Sequence, residues 1–197
     1  MIPAQRDDLA PVVMAAAAGD PLAQAAFVRA TQDDVWRLAA ALVDRDAADD
    51  LTQETYLRAS KALPSFEGRA GVRTWLLSIA RRTCADHLRA VMRRRRLGDR
   101  LLAAPIEPGP DHTGFVDASD LLRGLDPERR AAFVLTQLVG LSYLEAAAVE
   151  GVPVGTIRSR VARARADLVD ALGTPDAVSS ESSQPGTGRT PASTNPS

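Results

Sequence analysis

Apolar positions recur at intervals of three and four from the N-terminus to about residue 90, and again from about 117 to 172. That period belongs to amphipathic helices rather than strands. Gly19-Asp20-Pro21 reads as a stop, an N-cap and a first-turn proline, so a helix restarts there. Thr31 is placed as the cap of the next helix, which carries Val35, Leu38, Ala39 and Leu42 on one face. "DRDAADD" (44–50) breaks it, and another helix runs through "DLTQETYLRASKAL" with Leu51, Thr55 and Ala59 facing inward. Pro64 and the glycines of "PSFEGRAGV" mark a loop. A long helix, "RTWLLSIARRTCADHLRAVMRRRR", then sets Leu77, Ala80, Cys84 and Leu88 in line.

The period is lost from 97 to 117, where three prolines and two glycines fall within 105–114, a linker with little regular structure. Three more helices follow. The first has Asp126 as N-cap and Pro127 at its start; the second opens on a Ser142…Glu145 capping box and ends at Gly151. The third begins at Pro153 and buries Ile157, Val161, Ala164 and Leu168. Two helices joined by so short a glycine-containing turn outline a helix-turn-helix. From Gly173 the tail is rich in Ser, Thr, Pro and Gly and lacks aromatics, so it is expected to be disordered. The fold class is all-α: a helical domain over 1–96, a flexible linker over 97–117, a second small helical domain over 118–172, and a tail over 173–197.

Charge adds what periodicity cannot. The net charge of −1 hides a balance of −5 over residues 1–60 against +8 over residues 61–96, an asymmetry that suits two different partners, one of them nucleic acid. Cys84, His87 and His112 are the only Cys and His residues, too few for a disulfide framework or a zinc cluster. Cys84 is expected in the core. No catalytic constellation, metal site or cofactor motif emerges. There is no signal-peptide pattern and no run of 18 apolar residues, so the chain is expected to be soluble and cytoplasmic, with no membrane partner.

Three segments carry candidate chemistry. On the last helix Arg158, Arg160, Arg163 and Arg165 fall within eight positions, and Arg158, Ala162 and Arg165 lie opposite the apolar stripe with Ser159 and Arg163 beside them. A solvated face and a major-groove reader both fit that pattern. On "DLTQETYLRASKAL" a stripe of Asp50, Gln53, Glu54, Leu57 and Lys61 faces outward. Leucine amid polar groups is the mark of a docking anchor, although a solvated face again fits the rest. In the third, a glycine-bearing loop with Phe66 leads into a helix that starts with Trp75 and ends in four consecutive arginines. Single-stranded nucleic acid is held by such basic tracks with stacking surfaces, whereas Phe66 and Trp75 also suit a core.

Together these segments resemble the bacterial extracytoplasmic-function (ECF, group IV) sigma factors, the promoter-reading subunits of RNA polymerase. "DLTQETYLRA" looks like region 2.2, "PSFEGRAGVRTWLLSIARRTCADHLR" like regions 2.3 and 2.4, and "LDPERRAAFVLTQLVGLSYLEAAAVEGVPVGTIRSRVARARADL" like region 4. "ADDLTQET", "LTQLVGLSY" and "AAAVEGVPVGTIRSRVARAR" resemble the actinobacterial sigma C type. The resemblance implies docking of Asp50, Gln53, Glu54 and Leu57 on the β′ coiled coil of core RNA polymerase, with further contact to the β subunit. It implies −10 promoter DNA contacts by Phe66, Arg69, Ala70, Arg73, Trp75, Arg81 and Arg82, the first three lining a pocket for a flipped base. It implies −35 contacts by Thr156, Arg158, Ser159, Ala162, Arg163 and Arg165, and an anti-sigma factor as a further partner. The sequence departs from the family pattern at Arg82, often Asn, at Ala162, often aromatic or His, and at Glu150, where an apolar residue is usual; the Glu150 carboxylate is expected to swing to the rim toward an arginine. The rival reading is a stand-alone helix-turn-helix regulator.

Overall fold

In the computed structural model the described residues are 9–68, 70–101 and 118–173, with side chains described as far as Arg96 on the long helix. Eight α-helices make up the described chain: α1 (Ala10–Ala17), α2 (Pro21–Leu42), α3 (Ala48–Ala62), α4 (Val72–Leu101), α5 (Ala118–Gly124), α6 (Pro127–Phe133), α7 (Tyr143–Glu150) and α8 (Val154–Gly173). A 3₁₀ turn, Leu63–Ser65, follows α3, and a π-helical turn, Val134–Leu138, extends α6.

Local chemistry sets most of the ends. Gly19 takes φ +93° and Asp20 accepts from the backbone N–H groups of Leu22 and Ala23, which starts α2 on Pro21. Asp126 does the same for Glu128 and Arg129 ahead of Pro127. The Ser142–Glu145 capping box is formed in both directions, and Gly151 closes α7 in the left-handed region at φ +68°. Each such cap contributes about 1 kcal/mol.

Two expectations are corrected. Thr31 caps nothing: α2 runs unbroken from Pro21 to Leu42, and Thr31 is buried in its middle. Its hydroxyl donates back to the Phe27 carbonyl at 2.8 Å and meets the Tyr56 hydroxyl of α3 at 2.6 Å. A threonine with a tertiary partner has no need to break the helix. The linker also starts later than 97, because α4 continues to Leu101. A lone Gly98 costs a helix only about 1 kcal/mol and does not end this one. The rest of the expected linker, 102–117, and the tail beyond Gly173 lie outside the described residues.

Helices α1 to α4 pack around Val35, Leu38, Leu51, Leu76 and Leu77, while α5 to α8 pack around Leu135, Val134, Ile157 and Val161. As expected, Cys84 is buried, at 1% exposure. The two units are not held apart. Helix α7 lies against α4, and α2 touches both α6 and its π turn, so the buried apolar residues form one continuous cluster.

Candidate nucleic-acid interface

On α3 the alternation of buried Leu51, Thr55 and Ala59 turns the opposite face to solvent. Asp50 and Gln53 are exposed there, and Leu57 is 58% exposed, a large apolar side chain with water around it. Glu54 belongs to the same stripe but is half engaged. Arg58 donates to it at 2.7 Å and also to Asp86 of α4 at 2.7 Å, tying the stripe to the long helix. Arg89 also donates to Asp86, and the hydrogen bonds from Arg58 and Arg89 hold its carboxyl below the ordinary range. Leu57 and Gln53 also edge an open groove of about 620 Å³ between α1, α2 and α3, floored by Phe27 and Tyr56. Burial pushes the Tyr56 hydroxyl up to about 12, so it serves as a neutral wall.

The loop between α3 and α4 forms a smaller hollow of about 300 Å³, lined by Ser65, Phe66, Glu67, Gly68, Ala70 and Trp75. Its size is near the lower end of ligand pockets, about 300 Å³. The Phe66 and Trp75 rings meet with centroids 4.9 Å apart at 52°, half-buried rather than sealed in the core. Gly68 sits at φ +71° with nothing within 4 Å of where a Cβ would project, so the loop is open on that side. Phe66 and Ala70 line the hollow together with Trp75, which the resemblance assigns to strand contact rather than to the pocket; Arg69 lies outside the described residues. Ser65 and Glu67 were missed, since nothing in the pattern distinguishes them from ordinary loop polarity.

Helix α4 leads away from this hollow, and two of its arginines are engaged by groups on other helices. Arg73 Nε donates to Asp34 Oδ2 at 2.7 Å, with the carboxylate buried on α2. Its Nη2 donates to the Val139 carbonyl, at the C-terminal end of the π turn, where helix carbonyls lack partners and cations are favoured. Arg81 Nε donates to Glu150 Oε1 of α7 at 2.7 Å. Glu150 does not swing to the rim: its side chain is 6% exposed, wedged between Arg81 and Arg160, whose Nη1 lies 3.9 Å from the other carboxylate oxygen. A carboxylate so deeply buried requires such partners, because an unpaired buried charge costs several kcal/mol. Arg82, one residue on, is exposed.

Helix α8 keeps its expected orientation. Ile157, Val161 and Ala164 are buried, while Arg158, Ser159, Ala162, Arg163 and Arg165 are exposed and Thr156 half-buried. Arg160 is withdrawn from that face by Glu128 and Glu150. Arg165 donates to the Gln137 side chain at 2.8 Å. Arg158 and Arg163 make no ion pair among the described residues. The Cα positions belong to a helix of 20 residues whose entry turn is fixed by Gly151, the geometry a major groove admits. Among the described residues no helix is long and apolar enough to cross a membrane.

An α3 stripe with an exposed leucine, a half-open aromatic hollow at the head of an arginine-bearing helix and a helix-turn-helix are thus all present on the described residues. Residues 27–95 match the family model for Sigma-70 region 2, and residues 116–168 match that for Sigma-70 region 4. The chain is 50% identical over 162 residues to the ECF RNA polymerase sigma factor SigC of Mycobacterium tuberculosis, an alignment covering 80% of this chain and 88% of that one. Among solved structures it resembles CnrH in complex with the cytosolic domain of CnrY (TM-score 0.64, 27% identity, 82% of this chain and 95% of that chain). It also resembles the sigma factor RpoE bound to the anti-sigma factor NepR from Bartonella quintana (TM-score 0.62, 30% identity, 74% and 93%). The chain belongs to the ECF RNA polymerase sigma factors.

Proposed function

We propose that this chain binds core RNA polymerase, reads the −35 and −10 elements of promoters and promotes melting of the latter, with the work divided as follows. Residues 1–101 form the polymerase-docking and −10 unit and 118–172 the −35 unit, with 102–117 joining them. Leu57 is the docking anchor on the β′ coiled coil, and Asp50, Gln53 and Glu54 supply its polar rim. Phe66, Arg69, Ala70 and Trp75 receive a base flipped from the non-template strand, and Arg73, Arg81 and Arg82 track its backbone. Arg158, Ser159, Ala162 and Arg163 face the duplex −35 groove, with Thr156 and Arg165 at its edge. No residue is catalytic and no cofactor or metal is needed, because bond formation belongs to the polymerase. The setting is cytoplasmic, where the polymerase acts, and an anti-sigma protein is a candidate partner.

The observation that carries this reading is the hollow beside Phe66 and Trp75 at the head of α4. Unstacking a base costs a few kcal/mol, and a pocket with aromatic walls offsets that cost only for a base already out of the duplex. A regulator of intact duplex has no use for it. The engagement of Arg73 and Arg81 supports one further step. The free chain binds promoter DNA weakly until docking on polymerase draws the two units apart and releases both arginines.

The deciding experiment adds the purified chain to sigma-free core polymerase and measures run-off transcription from a promoter with both elements. Specific initiation is expected. Binding of a palindromic duplex by the chain alone, with no initiation, would instead establish the stand-alone regulator.

A further inference from the structure

One block of charge has no role in the division of work above. Arg93, Arg94, Arg95 and Arg96 occupy consecutive positions toward the far end of α4, and all four are exposed. Earlier on the same helix Arg73, Arg81 and Arg89 each meet a carboxylate. That compensation stops at Asp86: no acid lies between it and the run, and the four arginines make no ion pair among the described residues. Like charges three apart on a helix repel, and solubility is better served by mixed signs, so a solvated end gains nothing from this density.

The position of the run narrows its partner. Arg93 to Arg96 stand 18 to 21 residues beyond Trp75, which lines the loop hollow. At 1.5 Å per residue that is about 27–32 Å along the helix axis. Stacked nucleotides rise about 3.4 Å each, so the same length spans about eight or nine base pairs of duplex. The far end of α4 is also where the chain goes on toward the −35 unit. Between a melted −10 element and a −35 element read as duplex, the DNA is paired.

The arrangement of the run also narrows the chemistry. Successive helix positions turn by about 100°, so the four side chains spread over about 300° of the circumference. A reader of base edges needs its side chains on one face in a groove. Phosphates form a continuous rail of charge that a long, flexible cation meets from many directions.

We propose that Arg93, Arg94, Arg95 and Arg96 hold the phosphate backbone of the duplex spacer between the −35 and −10 elements, without reading its sequence. The inference rests on the sigma-factor reading and adds a third DNA contact to the two assigned above. Only the side of the helix turned to the duplex engages, so about two phosphates are neutralised.

The test uses holoenzyme reconstituted from core polymerase and the full chain. Its probes are fork-junction promoters without a −35 element, whose about ten base pairs upstream of the fork carry either ordinary phosphates or uncharged methylphosphonates. Wild-type holoenzyme is expected to bind the ordinary fork about tenfold more tightly at low salt, with a salt slope steeper by about two. Arg93→Ala, Arg94→Ala, Arg95→Ala and Arg96→Ala combined should remove most of that difference, equally for every spacer sequence. Alanine favours helix, so the melting temperature should hold. The four corresponding changes to lysine should keep the slope, because a point charge serves a phosphate. Should the alanine variant melt well below wild type, the four changes to glutamine, uncharged and of similar length, take its place.

An unchanged salt slope in the uncharged variant leaves the run merely solvated and overturns the proposal. An equal loss on both forks moves the contact to the melted strand or to polymerase, and a loss confined to one spacer sequence makes it a base contact; either result overturns it too. All three leave the sigma-factor reading intact. Failure of the wild-type chain to place core polymerase on any fork defeats that reading and the inference with it.

Discussion

On α4, Arg73 and Arg81 are each held by a carboxylate, and both reach across to the second unit, one to the Val139 carbonyl and one to Glu150. On α8, Arg158 and Arg163 stand exposed with no acid in reach among the described residues. Helix α4 carries nine arginines and α8 four; on α4 the two that reach the second unit are held, whereas Arg82 and Arg93 to Arg96 are exposed, like Arg158 and Arg163 on α8. Charge density along the sequence therefore measures capacity, and the tertiary partner decides whether the capacity is available. Under the proposed assignment, the free chain leaves the α8 arginines for the duplex exposed and holds two of the α4 arginines for the melted strand. A protein with that asymmetry gains most from a partner that pulls the units apart.

The largest expected effect removes that partner. Leu57→Asp places a charge in the centre of the proposed α3 docking face, and loss of a central apolar anchor costs about 2 kcal/mol or more. Co-elution with core polymerase should disappear while the melting temperature stays near wild type, because Leu57 is 58% exposed and supports no core. Retained co-elution would move the docking face elsewhere on the molecule.

Next comes the clamp itself. Glu150→Ala removes the acceptor of the Arg81 hydrogen bond and the charge 3.9 Å from Arg160, and a hydrogen bond to a charged group is worth about 1.5–3 kcal/mol. If the closed form suppresses strand binding, apparent affinity scales with the open fraction, so the free variant should bind a −10 non-template oligonucleotide several-fold more tightly. Arg81→Ala breaks the same pair but also deletes a proposed strand contact, and it should show no such gain. Equal behaviour of the two variants would mean that the Arg81–Glu150 pair is only structural. Once on polymerase, Glu150→Ala and wild type should be alike.

Much of this architecture is written locally. Asp20-Pro21, Asp126-Pro127, the Ser142–Glu145 box and Gly151 each fix a helix end through neighbours within four residues, and periodicity places Leu38, Leu77, Ile157 and Val161 in the core. The misses share a different cause. Thr31 looks like a cap until Tyr56, 25 positions away, accounts for its hydroxyl. Glu150 looks misplaced in a helix-turn-helix until Arg81, 69 positions away, is seen against it. Arg73 reads as a freely exposed cation because the buried Asp34, 39 positions away, is invisible to any window around it. Periodicity reports which face is buried, not which polar group is waiting inside the neighbouring helix.

The exposed half of the comparison yields a smaller, position-dependent effect. Arg163→Ala, measured in holoenzyme on duplex −35 variants, should lose about 1–3 kcal/mol at one base pair and little elsewhere. Arg165→Ala should instead weaken all sequences slightly, since that guanidinium is already shared with Gln137. A uniform loss in Arg163→Ala would reassign it to phosphate contact.

The smallest effect lies at the centre of α4, three residues from Arg81, where Cys84 shows how far burial outweighs the basic surroundings. Nearby arginine lowers a thiol's pKa, yet burial dominates and pushes the Cys84 thiol up to about 11. The unfolded chain releases that proton near pH 8.5–9. A group whose pKa is raised on folding contributes stability that is fully present below the unfolded value and lost as pH climbs through the folded one. Stability should therefore decline between about pH 9 and 11, by about 1 kcal/mol at pH 10 from this group. Cys84→Ala should lower stability at pH 7 through the lost packing but flatten that alkaline slope, as read from urea midpoints at each pH. At pH 8 the native thiol should resist alkylation until the protein unfolds. Rapid labelling of the folded chain would show that α4 opens on its own, and the contrast between a closed α4 and an open α8 would then describe a fluctuating average rather than two fixed situations.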